Sequence, residues 1–145
     1  MRIIKFRGKR KSDSTWVHGY FGKDYSERCI ISNYLNAPNE AWVVVPETVG
    51  QFTGLCDKNG KEIFEGDILG FTTKREMGYQ KDGIKISLPV VFGKWNPDDD
   101  STSEYIGFWV EWGSGSRDSI SYYVNSHGAK VIGNIYDNPE LLTNN

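Results

Sequence analysis

Val45-Pro46-Glu47-Thr48-Val49-Gly50-Gln51-Phe52-Thr53-Gly54-Leu55-Cys56-Asp57-Lys58-Asn59-Gly60-Lys61-Glu62-Ile63-Phe64-Glu65-Gly66-Asp67-Ile68 is the stretch whose reading decides the fold. Pro46 ends the apolar run before it and suits the first position of one helical turn over Glu47–Phe52. Asn59-Gly60 between strand-like flanks is the strongest short hairpin signal a sequence can carry. Gly66-Asp67 marks a second turn, and Ile68-Leu69-Gly70-Phe71 opens another strand. Phe52 and Leu55, three residues apart, are placed to plug one core from a single turn. The stretch reads as short strands closed by tight turns.

The same grammar holds on both sides. Upstream, Arg2–Arg7 alternates with period two, which predicts a strand with Ile4 and Phe6 facing in and Lys5 and Arg7 facing out. Trp16–Phe21, Arg28–Ser32 and Ala41–Val45 follow, the last apolar enough to be buried on both faces, with a turn at Asn36–Asn39. Downstream, residues 74–83 are polar and predict an exposed hairpin tip. Ile84–Phe92 and Tyr105–Trp112 read as longer strands around an acidic loop, Asn96–Ser103, and Gly113–Ser116 as a flexible turn. Ile120–Val124 and Ala129–Tyr136 close the strand set. Asp137–Leu142 predicts a helical turn with Asn138 as N-cap and Pro139 at its first position. No segment sustains a 3.6-residue apolar period over three turns. The expected fold is mostly β, a small barrel or packed sheets with only short helical turns.

Composition agrees and excludes more than it assigns. The chain has 145 residues, enough for one domain or two small lobes. Its aromatic content of 14% beside sixteen glycines favours strands and turns over long helices. Net charge is −2, against a polyanion binder acting through bulk charge. Charge is uneven, however: residues 1–50 carry eight Lys/Arg against five Asp/Glu, and residues 51–145 carry nine against fourteen. That switch places the expected lobe boundary at residue 50, giving an N-terminal β lobe (1–50) closely packed with a second lobe (51–145). Arg2, Lys5, Arg7, Lys9, Arg10 and Lys11 fall in the first eleven residues, and their alternation with apolar residues suits the solvated side of a strand better than a basic arm. No apolar run approaches the ~18 residues of a membrane span, and no secretory signal begins the chain. Cys29 and Cys56 are expected to be free thiols in a reducing cytoplasm.

No reaction emerges from the motifs. His18 lies in an expected strand and His127 in an expected turn, both read as ordinary surface or sheet residues. No nucleophile elbow or Cys–His signature accompanies them. Two Cys and two His are scattered, without metal-ligand spacing. Asp57-Lys58-Asn59-Gly60 superficially suggests a calcium loop, but the sixth and twelfth positions counted from Asp57 are Glu62 and Ile68, where Gly and Glu are needed. The run Asp98–Asp100 reads as a solvated tip. Glu47, Glu62, Glu65 and Asp67 could supply paired carboxylates, yet three flank turns, where carboxylates commonly cap backbone N–H groups. Trp95, Tyr105, Trp109, Trp112, Tyr122 and Tyr123, with Arg117, could stack single-stranded bases. Glu104, Glu111 and Asp118 lie among them, and an inner barrel face or a subunit interface explains the rings as well.

Three stretches together resemble the YopX-like family, small proteins found mainly in bacteriophages and prophages. They are Arg2–Lys9, the stretch Val45–Ile68, and Val131-Ile132-Gly133-Asn134-Ile135-Tyr136-Asp137-Asn138-Pro139-Glu140-Leu141-Leu142. Residues 72–128 carry no motif of that resemblance. The resemblance implies a mostly β fold with an SH3-like barrel in the second part, a phage or prophage origin and a tendency to self-associate. It implies no established activity and no catalytic residues.

The expectation is therefore a non-enzymatic accessory protein, a self-associating β module that binds another macromolecule, with no catalytic, cofactor or metal site. The alternative is a nucleic-acid binder using the basic first strand and the barrel aromatics, with binding at most weak and salt-sensitive because the two lobes' charges largely offset.

Overall fold

The computed structural model describes residues 1–33, 40–96 and 104–142. The turn expected at Asn36–Asn39 and nearly all of the acidic loop Asn96–Ser103 lie outside the described residues. The fold is mostly β, as the sequence predicts, in two antiparallel sheets with one α-helix. The chain divides into two compact units, Met1–Gly54 and Leu55–Asn145.

The first unit holds β1 (Phe6–Lys9), β2 (Trp16–Lys23), β3 (Cys29–Ser32), β4 (Ala41–Val43) and most of β5 (Gly50–Cys56), in the order β4-β3-β2-β1-β5. Strand β1 starts later than the period-two pattern suggests, because its cross-strand partners run only from Phe6↔Gly19 to Lys9↔Trp16. Ile4 is exposed, and Arg7, expected outside, is buried with its guanidinium 4.7 Å from the Trp16 ring centre. An arginine can be covered in this way because its planar cation stacks on an aromatic face. Strand β4 closes one side of the sheet and is half-buried throughout, not buried on both faces. Burial falls instead on Val44, which bridges to Arg10. Pro46 does open a helical turn, but a shorter one, the 3-10 turn Pro46–Thr48, held by the Thr48 hydroxyl on the Val45 carbonyl at 2.6 Å. Residues from Gly50 onward are strand, so Phe52 and Leu55 do not share a turn. Phe52 is buried and Leu55 is exposed, since residues three apart on a strand face opposite sides.

The second unit begins with the hairpin that Asn59-Gly60 predicts. Gly60 takes φ +80°, and the Asp57 N–H donates to the Lys61 carbonyl at 2.7 Å. Beyond it come β6 (Glu62–Phe64), β7 (Asp67–Thr72), β8 (Lys85–Trp95), β9 (Tyr105–Glu111), β10 (Arg117–Asp118), α1 (Ile120–His127) and β11 (Lys130–Asn134). The sheet order is β10-β9-β8-β7-β11. This unit's sheet has five antiparallel strands among the described residues. Ile63, Leu69, Phe71, Leu88, Val90, Val110, Ile120, Tyr123 and Ala129 form its core.

Helix α1 replaces the strand expected over Ile120–Val124. Ser119 caps it, accepting the Tyr122 N–H at 3.4 Å, and Gly128 ends it in the left-handed region. Ile120, Tyr123 and His127 then fall on one buried face. Two turns are enough for a helix when both ends are capped and one face is covered. The last 3-10 turn, Pro139–Leu142, lies where it is expected. Asn138 serves the preceding turn, however, its carboxamide oxygen accepting the Asn134 N–H at 3.3 Å.

Candidate functional site

The residues that drew attention in the sequence are mostly engaged in building the second unit. Asp57 is buried, and its carboxylate accepts three backbone N–H groups: Asn59 at 2.8 Å, Lys61 at 2.9 Å and, from β11, Val131 at 2.9 Å. Burial acts to raise its pKa. The three donors and Lys61 outweigh it and hold the carboxyl below its ordinary value. Asp67 is likewise buried, accepting the Phe64 N–H at 2.8 Å. Glu47 lies in the first unit, apart in sequence and unit from Glu62, Glu65 and Asp67 in the second. Among the described residues no three Cys, His, Asp or Glu side chains converge. Both cysteines are free, Cys29 partly covered and Cys56 exposed.

The six aromatics proposed as a stacking platform fall into two groups. Trp95 and Trp109 touch, ring centres 4.8 Å apart, and the Trp109 indole N–H donates to the Gly93 carbonyl at 3.1 Å. Tyr105 faces Trp95 in register on the neighbouring strand. Trp112, Tyr122 and Tyr123 gather about α1. The Tyr123 hydroxyl donates to Asp118, and burial followed by that carboxylate pushes its pKa up. Arg117 joins neither group as a free cation. Its Nε donates to Glu111 at 2.9 Å and its Nη1 to the Lys94 carbonyl.

His127 is not the surface residue its expected turn implied. It is buried among Phe71, Tyr79, Tyr122 and Tyr123, ring centres 5.0–5.6 Å away, and its Nδ1 has no hydrogen-bond partner. Burial lowers its pKa. The i, i+3, i+7 spacing of Ile120, Tyr123 and His127 is the sequence signal that announces this placement. His18 is exposed on β2, opposite Arg7.

The basic residues of the first unit make a different arrangement. The Lys11 N–H donates to the Val43 carbonyl at 2.9 Å, and the Arg10–Val44 bridge sits beside it. These bonds lay the β1–β2 turn against β4. The result is a cleft of about 430 Å³ lined by Arg10, Lys11, Ser12, Arg28, Trp42 and neighbouring β4 backbone. Each arginine is aimed by an aspartate that is itself part of a turn. Asp13 accepts the Thr15 hydroxyl at 2.7 Å and N–H at 3.1 Å, and holds Arg10 Nη1 at 3.3 Å. Asp24 accepts the Arg28 N–H at 2.9 Å and the Ser26 N–H at 3.0 Å, and holds Arg28 Nε at 2.7 Å. Those hydrogen bonds keep both carboxyls below the ordinary aspartate value. The Arg10 guanidinium lies 6.0 Å from the Trp42 ring centre. Lys11 is exposed and has no ion-pair partner among the described residues. A guanidinium has five N–H donors, so one carboxylate leaves each arginine with donors to offer. Chemically the cleft presents three cations around one indole wall.

Fold and site define a two-unit antiparallel β protein with a basic, tryptophan-walled cleft in its first unit. The chain belongs to the YopX protein family, which it matches over residues 5–143. It is similar to a solved structure titled protein EF1440 from Enterococcus faecalis, with 26% sequence identity and a TM-score of 0.58, covering 98% of this chain and 99% of that one. No curated protein matches it.

Proposed function

We propose that this chain is a non-enzymatic binding module whose working surface is the basic cleft of the N-terminal unit, and that its partner is a polyanion. The observation that carries this reading is the gathering of Arg10, Lys11, Arg28 and Trp42 along one cleft, with both arginines oriented by turn aspartates. Three cations against two carboxylates leave the cleft positive in a chain whose net charge is −2. The test is retention on immobilised heparin. The wild type is expected to elute at higher salt than Lys11→Glu or Arg28→Glu, and equal elution would refute the cleft as the surface.

A second activity, self-association, is favoured by one feature of the second unit. Phe92, Tyr105 and Ile106 are more than half exposed on the paired strands β8 and β9. Exposed rings and branched chains on strands suit a contact with a second copy. Light scattering is expected to give a mass above 16.5 kDa that falls on dilution, and a constant monomer mass would overturn it. Two free thiols and the family resemblance support a phage-type accessory protein working in a bacterial cytoplasm.

A further inference from the structure

We infer that the polyanion taken by the cleft is single-stranded nucleic acid, with a base laid on Trp42 and the flanking phosphates on Arg10, Lys11 and Arg28. The inference rests on the proposed binding reading and narrows it to one chemistry. A volume of about 430 Å³ lies in the range of sites that admit a nucleotide-sized group. Trp42 stands in the wall of a concavity, on β4, the last strand of its sheet. Only a base free of its own stack can reach such a ring, whereas duplex bases are already stacked and paired. The indole is sequence-tolerant, since every base has a π face.

The cations sit where a backbone would pass. Arg10 follows β1 directly, Lys11 opens the turn after it, and Arg28 is the residue before β3, so the three approach from two connections between strands. Arg28 keeps its Nη1 edge for a phosphate while Asp24 holds Nε and Nη2, both at 2.7 Å. A planar guanidinium held in this way loses little freedom on binding. A phosphoserine or phosphothreonine would satisfy the cations equally but brings no ring of its own to the indole. Single-stranded nucleic acid uses both.

The full-length protein is titrated with short fluorescein-labelled oligo(dT), with the corresponding duplex and with a heparin fragment, by anisotropy over a range of salt. Oligo(dT) is expected to bind weakly but more tightly than the duplex or heparin. The slope of log affinity against log salt is expected to be about −2, from three phosphates at about −0.7 each. Lys11→Ala, at an exposed position, should make that slope shallower by about 0.7. Trp42→Leu should weaken oligo(dT) roughly tenfold and leave heparin unchanged. Trp42 is half-buried, so circular dichroism must match the wild type, and Trp42→Phe should restore most of the affinity. Equal affinity for all three polyanions, each lost in Lys11→Glu, would leave the cleft reading standing and overturn this inference. No binding to any would overturn both. Binding of oligo(dT) untouched by Lys11→Ala and Trp42→Leu would place the strand elsewhere and overturn the inference.

Discussion

Removing the Asp57 carboxylate is expected to cost the second unit roughly 3 kcal/mol. The side chain joins residues 74 apart in sequence, the hairpin tip and the start of β11, through one oxygen on Asn59 and Lys61 and the other on Val131. Hydrogen bonds to a charged group contribute about 1.5–3 kcal/mol each when deletion strands the donor. Asn59 and Lys61 are exposed, so in Asp57→Ala their N–H groups turn to water at about 0.5 kcal/mol apiece, whereas the half-buried Val131 donor costs about 2. Asp57→Asn keeps the shape but turns an NH₂ toward one of the donors, and should lose nearly as much. The assay is urea unfolding followed by the tryptophans of the second unit, Trp95, Trp109 and Trp112, with hydrogen exchange at the Val131 amide as the local readout. The pH dependence supplies an independent check. The folded pKa lies below the ordinary value of 3.8, so the carboxylate's stabilisation is complete above 3.8 and is lost as pH falls through the folded value. Wild type and Asp57→Ala should therefore converge in acid. A difference under about 0.5 kcal/mol at neutral pH, or one that persists unchanged in strong acid, would refute the reasoning.

Other parts of the fold give equally direct expectations. His127 has a folded pKa below 6.5, so the unfolded chain binds the extra proton first; stability is full above 6.5 and should fall as pH drops from 7 toward 5, and a flat melting temperature across that window in the wild type would contradict its burial. Gly19→Ala should unfold the first unit or prevent it from folding, because a Cβ there meets the Ser32 carbonyl oxygen; a melting temperature within about two degrees of wild type would show that β2 and β3 are not so closely apposed. Thiol titration should find Cys56 reactive in the native protein and Cys29 slower, with both available after unfolding.

The parts of the fold legible in the sequence were those whose signals are local. Asn59-Gly60 announces its hairpin because only a few residues tolerate the left-handed turn. Pro46 announces its turn because its ring fixes φ. Arg7 failed for the opposite reason. Period-two alternation assigns it outward, whereas Trp16, across the β1–β2 pair, stacks on its guanidinium. Residues 120–124 failed because β-branched and aromatic residues favour strands in isolation, while the caps at Ser119 and Gly128 lie just outside that window. The cleft was half legible. Its cations were counted in the first eleven residues, but Arg28 and Trp42 join them only through sheet pairing, which no local pattern reports.

The three motif stretches read from the sequence and the residues that line the cleft are different sets, and the family match over residues 5–143 contains both. Asp57, Asn59, Gly60 and Asp67 close the entry to the second unit, and Asn134 with Asn138 closes its exit. Gly133 leaves room for Asn138, whose carboxamide oxygen would come within 2.5 Å of any added Cβ. These positions tolerate little, because Asp57, Asp67 and Asn138 each accept a backbone N–H through the side chain. Arg10, Lys11, Arg28 and Trp42 fall outside all three stretches and satisfy no such backbone demand. Lys11 in particular bonds through its main chain to Val43 and leaves its side chain to solvent. The proposed binding surface draws on other side chains, with Arg10, Lys11, Arg28 and Trp42 lining one cleft of the first unit.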